Sequence, residues 1–250
     1  MKSFFFVAFS FASVFGFAAE GFRIKTTLRL GGAVVMRSTT LFDGAVFYDF
    51  IEDNGEIIRF EPSKGVFTLL DPALRVQTHL AATETKQIVD AQRIVLQTSK
   101  NEFFAFAAKP VFSMEFDEAA GLMALQSPWI DYSLTTKPLD AETARLYFDF
   151  CDWACYLNQR MNPGLLTPLI RLEVNRILQE KNRFPESVKV SVFPQGKKFF
   201  AKEATFQSTH EFSRRLTDLD RQRIDKALES MRNFPVVPFN EYQAKVNEKK

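Results

Sequence analysis

The strongest constraint on the fold of this chain is an alternation of apolar and polar side chains that runs through its first third. In residues 57–61, Ile58 and Phe60 fall on one side, and the residues between and after them are charged. A period of two is typical of a β-strand, because successive side chains point to opposite faces of the sheet. Polar residues on one side predict an antiparallel sheet with a single face on a core.

Turn residues divide the alternating stretches into short strands. Asp43-Gly44 is a strong signal for a two-residue hairpin, and the turns at 62–65 and 71–73 separate three more strands. Eleven strands result. They are predicted at 22–30, 34–42, 45–52, 57–61, between the turns at 62–65 and 71–73, and at 74–80, 112–117, 122–126, 129–135, 188–193 and 198–212.

Helices are predicted between and after these strands. One region covers 83–108 with a break near Ser99, and a helix opened by Thr217 follows the last strand. The tail after Pro238 is expected to be frayed. The sequence therefore predicts an α+β fold with helices covering the apolar face of a large antiparallel sheet.

The predicted helix from Asp140 to Met161 carries two apolar stripes and only a narrow charged strip, and a second helix follows it to Lys181. A helix this apolar is buried on most sides. Two interpretations stay open: a core helix wedged between the sheet and other helices, or a lid over an apolar cavity that can be displaced.

Residues 1–19 have the parts of a signal peptide. Met1-Lys2 is positive, residues 4–15 are apolar and uncharged, and Gly16 and Ala18 predict cleavage after Ala18 or one residue later. A membrane anchor is the alternative, but the apolar run is short for a hydrocarbon core of ~30 Å. Export to the periplasm or secretion is expected, with residues 20–250 as a single soluble domain, because no linker, repeat or low-complexity tract divides them.

Composition argues against one class of partner and favours another. After the expected cleavage, 31 basic residues face 30 acidic ones without a cationic stripe, so nucleic-acid binding is not expected. Phe is unusually frequent, with 28 in the whole chain and 21 outside the predicted signal peptide. These side chains could bury a lipid or acyl chain on the apolar face of the sheet.

Residues capable of catalysis are few. His79 and His210 are the only histidines, and both are interpreted as hydrogen-bonded or solvated strand residues. Glu115 and Asp117 share one side of a strand, where alternate acids are ordinary. No known catalytic motif occurs, and no cofactor or metal site is expected. An enzyme is therefore the least favoured function.

Cys151 and Cys155 lie four residues apart in the predicted 140–161 helix. This spacing puts both thiols on one helix face, but too far apart for a relaxed disulfide. We expect two free, buried side chains at a helix interface.

The order of eleven strands, with a helical region after the sixth and a helix pair after the ninth, resembles the periplasmic lipoprotein carriers of the LolA/LolB type. The resemblance covers nearly the whole chain after residue 19 and is one of topology. It implies a curved half-barrel with helices over its apolar mouth, and a role in binding lipid or lipidated protein between membranes. The absence of Cys near the cleavage site matches the soluble carrier. Segments 39–51, 67–80 and 127–134 also resemble stretches of secreted bacterial proteins.

The function expected first is that of an exported carrier. It would hold a lipid, an acyl chain or a lipidated protein in an apolar sheet cavity, as a monomer with transient membrane or lipoprotein contact. The alternative is an exported structural or protein-interaction domain with a filled core and no ligand. Nine residues are expected to line the cavity beneath the 140–161 helix: Ile58, Phe60, Phe112, Met114, Phe116, Ile130, Tyr132, Phe150 and Trp153.

Overall fold

One antiparallel sheet of eleven strands organises the structure, a computed structural model that describes residues 21–163, 167–193, 196 and 204–249. The strands are β1 (Phe22–Leu30), β2 (Ala33–Asp43), β3 (Val46–Ile51), β4 (Ile57–Glu61), β5 (Val66–Asp71), β6 (Val76–Ala81), β7 (Ser113–Asp117), β8 (Leu122–Gln126), β9 (Ile130–Pro138), β10 (Arg183–Val192) and β11 (Ala204–Ser213). The predicted signal peptide and the predicted strand residues 198–203 lie outside the described residues.

The two halves of the sheet meet at its centre. The strand order is β6-β5-β4-β3-β2-β1-β11-β10-β9-β8-β7, so the first strand pairs with the last. Within the described residues, β6 and β7 are the two ends of the sheet, which is curved and does not close. The predicted α+β fold with a curved, half-barrel antiparallel sheet is confirmed.

Six helices are described: α1 (Ala82–Gln97), α2 (Glu102–Ala108), α3 (Ala141–Met161), α4 (Leu169–Glu180), α5 (Asp218–Asn233) and α6 (Phe239–Glu248). The predicted break near Ser99 is confirmed, since α1 ends before it and Asn101 caps α2 by accepting from the amides of Phe103 and Phe104. Of the helices in these ranges, none has both the length and the apolar character needed to cross a membrane.

Five phenylalanines stand directly opposite one another in five neighbouring strands. This Phe row consists of Phe22, Phe42, Phe47, Phe60 and Phe67. Neighbouring ring centroids are 4.0, 5.1, 6.0 and 4.3 Å apart, and all five residues are buried. Cross-strand aromatic pairs stabilise a sheet by more than the area that they bury would suggest, so the row is a central part of the main core. We call the face that bears it the inner face.

The prediction of a single apolar face is wrong for part of the sheet. On the outer face, Leu41, Tyr48 and Phe50 form a second buried cluster under Ile224 and Ala227 of α5. The physical reason is that β2 and β3 contain consecutive apolar residues, which place large side chains on both faces. Helices therefore cover both sides of this half of the sheet.

A capping box fixes α5 over that cluster. The Thr217 hydroxyl accepts from the amide of Asp220, and the Asp220 carboxylate accepts from the amide of Thr217. The same carboxylate accepts a 2.9 Å hydrogen bond from Arg23 of β1. The helix predicted to begin at Thr217 is thus confirmed, and it is anchored to the outer face at its first turn.

The prediction of a frayed tail after Pro238 is wrong. Residues from Phe239 form α6, and Tyr242 is fully buried and donates a 2.7 Å hydrogen bond to Glu56. The Arg160 guanidinium lies 4.3 Å from the Phe239 ring centroid. The apolar residues at 239, 242 and 246 repeat at helical spacing, and this stripe outweighs the charged end of the sequence.

The chain between α5 and α6 covers the β6 edge of the sheet. The Gln77 amide donates to Pro235 (3.1 Å), and the Val237 amide donates to Gln77 (2.8 Å). The Gln77 side-chain amide also donates to the carbonyls of Met231 and Phe234 at the end of α5. Gln77 is therefore buried under the C-terminal segment.

Three strand boundaries differ from the prediction by two residues or more, one of them the end of β9 at Pro138 rather than at residue 135. β6 begins at Val76 because residues 72–75 form a turn, with Arg75 at φ 54°. β10 begins at Arg183 rather than Val188, and its first residues pair with the end of β9 across a bulge. Arg183 is buried there and donates to the Thr136 hydroxyl and carbonyl.

Candidate functional site

Helix α3 lies across the inner face and divides it into two cavities. Asp140 caps the helix by accepting from the Thr143 amide at 2.9 Å, as the sequence predicts. Asn158, near the C-terminal end of α3, contributes to the lining of both cavities. The helix thus separates two cavities on the inner face and does not cover a single one.

Two aromatic side chains of α3 rest on the Phe row. The Phe150 ring centroid is 5.5 Å from that of Phe42 and 5.7 Å from that of Phe47. Trp153 lies 5.2 Å from Phe60 and 6.3 Å from Phe67. Three of these four pairs are edge-to-face, an arrangement that aromatic rings prefer, and the fourth is tilted.

The larger cavity lies between α3 and strands β2–β5 and has a volume of about 530 Å³. We call it the aromatic cleft, since its walls include Phe47, Phe60, Phe67, Phe150 and Trp153. Its size falls within the ~300–1,000 Å³ range of small-molecule sites, which are also mostly apolar. A few polar groups at fixed places complete such a site.

Asp49, Asp53 and Glu56 are the acids in the lining of this cleft. Burial raises the pKa of Asp49, although hydrogen bonds from Thr40 and Ser38 lower it in part. The Thr40 hydroxyl donates to Asp49 at 2.8 Å. Glu56 is buried and accepts from the Tyr242 hydroxyl. An apolar molecule in this cleft would lie beside a carboxyl group that is already partly desolvated.

The smaller cavity lies on the other side of α3, against β9, β10 and β11, and has a volume of about 240 Å³. We call it the Arg171 cavity after the cation that α4 contributes to its lining. Its apolar walls include Ile130, Tyr132, Val190 and Phe206. Burial raises the pKa of Tyr132 to about 12, an effect that the charge of Arg171 partly opposes.

The structure separates the nine residues predicted to line one cavity. Four of them are in the aromatic cleft: Ile58, Phe60, Phe150 and Trp153. Two are in the Arg171 cavity, on the far side of α3: Ile130 and Tyr132. The four strand residues among these six, Ile58, Phe60, Ile130 and Tyr132, lie on the inner face of the sheet. The prediction had no means to anticipate that α3 separates them.

The other three lie toward the β7 edge. Phe112 and Met114 border a groove beside α4, and Phe116 lies 5.3 Å below the Arg183 guanidinium. Met114 is 43% exposed because an edge strand has a neighbour on only one side. The Phe112 ring lies 5.9 Å from Tyr132, which connects this group to the main core.

Both cysteines are free, as the sequence predicts. Burial raises the pKa of each thiol to about 12, with the positive charge of Arg171 opposing the rise. Cys155 borders the Arg171 cavity, and Cys151 packs on the main core. Both therefore remain protonated at neutral pH and behave as small apolar side chains.

The two histidines are far apart. His79 is exposed on the outer face beside the Thr68 hydroxyl, 3.1 Å from its Nδ1. His210 is on the inner face between the hydroxyls of Thr26 and Ser208, at 3.0 and 2.9 Å. Burial and the charge of Arg171 lower the pKa of His210 to about 3.

The paired acids Glu115 and Asp117 are exposed on the outer side of β7, where Asp117 accepts from the amide of Ala120. Within the described ranges, no three His, Cys, Asp or Glu side chains come together in a group that could hold a metal ion. The polar groups in the walls of the two cavities include three carboxyl groups and one guanidinium.

Sequence reasoning missed several lining residues. Phe47 and Phe67 lie in the largely apolar strands VFYDFI and VFTLLD, so the alternation does not single them out. Asp49 has a signal, because it is the one acid in an otherwise apolar and aromatic strand. Arg171 has none, since an arginine in the first turn of an amphipathic helix is ordinary.

Comparison with models of known protein families and with curated proteins gives no match for this chain. The geometry of the two cavities is therefore what bears on function.

Proposed function

We propose that this protein is an exported carrier that holds an apolar molecule, such as a lipid or acyl chain, in the aromatic cleft. The observation that supports this most is the cleft itself: about 530 Å³ of space between α3 and the Phe row, with five aromatic side chains in its walls. Export rests on the predicted signal peptide, and the carrier role agrees with the LolA/LolB-type resemblance.

The energy available to such a ligand is substantial. Each CH₂ group transferred from water contributes roughly 0.8 kcal/mol, so a chain of ~14–16 carbons gives ~10 kcal/mol before the costs of ordering. The volume of the cleft limits how much of an acyl chain can enter. Trp153 and Phe150 form part of its wall and pack on the Phe row. A ligand that enters deeply would displace these two rings, which is the lid behaviour that the sequence left open for this helix.

One feature beside the cleft favours transient contact with a membrane. The β1–β2 hairpin exposes Leu30, Val34 and Val35, each 46–50% accessible to solvent. Val35 and Met36 also line the cleft, so the apolar hairpin borders its entrance. Apolar side chains at such a tip can enter the interfacial region of a bilayer. A ligand would then pass between membrane and cleft over a short distance.

Native mass spectrometry of protein purified from its own envelope fraction tests the proposal. We expect a co-purifying lipid, and we expect the purified protein to take up a fluorescent fatty-acid probe. Ile58→Lys places a charge on the cleft wall and should weaken probe binding by roughly tenfold or more, because the ammonium group replaces apolar lining.

Ile94→Lys is the matched control, since Ile94 is an apolar residue that is 65% exposed on α1. This variant should bind the probe like the unmodified protein. No co-purifying lipid together with equal probe binding by both variants would reject the carrier. That result would instead support the structural or protein-interaction domain with a filled core.

A further inference from the structure

The Arg171 cavity contains a cation without a counter-ion. Within the ranges that the structure describes, the Arg171 side chain takes part in no hydrogen bond and no ion pair. Three other partly or fully buried arginines are paired: Arg23 with Asp220, Arg59 with Glu61, and Arg183 with Thr136. Arg171 differs from these three because its guanidinium has no such partner among the described residues.

The groups around Arg171 do not neutralise it. Its charge acts on Tyr132, Tyr147, Cys151 and Cys155, all of which have raised pKa values and stay neutral near pH 7. The charge of Arg171 also opposes the burial that raises the pKa of Asp152, whose carboxylate accepts a 2.8 Å hydrogen bond from Asn175. A guanidinium that is partly shielded from water, as that of Arg171 is, is stabilised when an anion pairs with it.

The first turn of α4 adds positive potential to the same place. Thr167, Pro168 and Ile170 border the cavity together with Arg171. The amide of Leu172 donates to the carbonyl of Pro168. The backbone amides of Ile170 and Arg171 lie before Leu172 in the first turn, so they have no carbonyl acceptor within the helix. The helix dipole also favours a negative charge at this end.

We propose that the Arg171 cavity is a separate binding site for an amphiphilic carboxylate, with the carboxyl group on Arg171 and the apolar part against Ile130, Val190 and Phe206. A planar guanidinium matches a carboxylate through two parallel hydrogen bonds. The volume of about 240 Å³ equals ~8 water-sized groups, which suits a carboxyl group and a short hydrocarbon segment. The site does not depend on the carrier function of the aromatic cleft.

Calorimetric titration of the full chain with octanoate tests this site, with 1-octanol and acetate as comparison ligands. Octanoate should bind roughly 10- to 100-fold more tightly than octanol, the factor that corresponds to hydrogen bonds with a charged partner. Acetate should bind more weakly than octanoate, because it lacks the apolar segment. Arg171→Met should bring octanoate and octanol to about equal affinity.

Arg176→Gln is the matched control, since Arg176 lies on the same helix but is exposed and pairs with Glu173 and Glu180. It should leave octanoate binding unchanged. Thermal unfolding gives a second readout: Arg171→Met should not lower the melting temperature, because an unpaired charge is removed, and octanoate should raise it only in the unmodified protein and in Arg176→Gln.

Binding of octanoate that is unaffected by Arg171→Met, or no binding at millimolar concentration, would overturn the proposal. Equal Arg171-dependent binding of acetate and octanoate would also overturn it, because the site would then be a simple anion site. Ile58→Lys separates the two sites. It should weaken the fatty-acid probe in the aromatic cleft and leave octanoate on Arg171 unchanged.

Discussion

The indole of Trp153 on α3 lies 5.2 Å from the ring of Phe60 on β4, at an interplanar angle of 50°. This contact joins the helix that divides the inner face to the middle of the Phe row. Trp153 remains partly exposed to the aromatic cleft, whereas Phe60 is buried. The pair thus packs α3 against the Phe row at the wall of the cleft.

We expect Trp153→Ala to reduce the free energy of unfolding by about 2 kcal/mol, below the 3–5 kcal/mol typical of a fully buried aromatic residue. The reason is that the cleft already exposes part of the indole. Uptake of the fluorescent fatty-acid probe should rise, since the substitution enlarges the cleft. Urea denaturation and probe titration measure the two effects.

Phe148→Ala is the control for that experiment, because Phe148 is on the same helix, is 1% exposed and packs on Tyr147. It should cost about 3–5 kcal/mol and leave probe uptake unchanged. If Trp153→Ala were equally destabilising and probe uptake did not change, α3 would be a core helix and not a lid.

Asp49 should make stability depend on pH. Its pKa is raised by burial, so the folded protein keeps this proton to a higher pH than the unfolded chain does. The ionised form therefore costs stability near neutral pH, and this cost disappears as the pH falls through the raised pKa. Asp49→Asn should increase the free energy of unfolding at about pH 7, with a difference that shrinks toward about pH 4.

Glu52 and Glu56 face Asp49 and raise its pKa further, so their charges contribute to the same trend. Asp53→Asn is a control of opposite sign, because hydrogen bonds from Arg37 lower the pKa of Asp53. Denaturation at several pH values distinguishes the two. A variant Asp49→Asn that is less stable than the unmodified protein at about pH 7 would contradict the expected direction.

Removing the hydroxyl of Tyr242 should weaken the attachment of α6. Tyr242→Phe deletes the 2.7 Å hydrogen bond to Glu56 and should cost about 1–3 kcal/mol, the range for a buried bond to a charged group. Tyr156→Phe is the comparison, since its hydroxyl makes no hydrogen bond among the described residues and it should change stability little. Equal effects of the two variants would argue against a structural role for the Glu56 contact.

The two cysteines should react slowly with thiol reagents. With pKa values of about 12, the thiolate fraction at about pH 8 is on the order of 10⁻⁴. Ellman's reagent should label both thiols quickly in denaturant and slowly in the native protein, and mass mapping should show no loss of two hydrogens. Rapid native labelling of either residue would mean that α3 opens in solution.

The sequence predicts much of this fold because its alternation and capping signals are local. Strand order along the chain, the start of α3 at Asp140 and the start of α5 at Thr217 all follow from neighbouring residues. The Phe row does not, because it depends on the register between strands, and each turn shifts that register. The division of the nine predicted residues by α3 and the exposure of Met114 at an edge are likewise decided by contacts between distant segments.

An open sheet leaves two unpaired rows of backbone groups, and these attract strands from other molecules. At β6, the stretch around Pro235 and Val237 already uses the backbone donor and acceptor of Gln77. At the opposite end, β7 is short and carries Glu115 and Asp117. The last turn of α5 and the residues after it therefore cover the β6 edge and keep it from pairing with strands of other molecules. Substitutions at 235–237 that abolish the pairing with Gln77 but keep α6 should leave the Phe row in place and promote association through the uncovered β6 edge, which size-exclusion chromatography would detect.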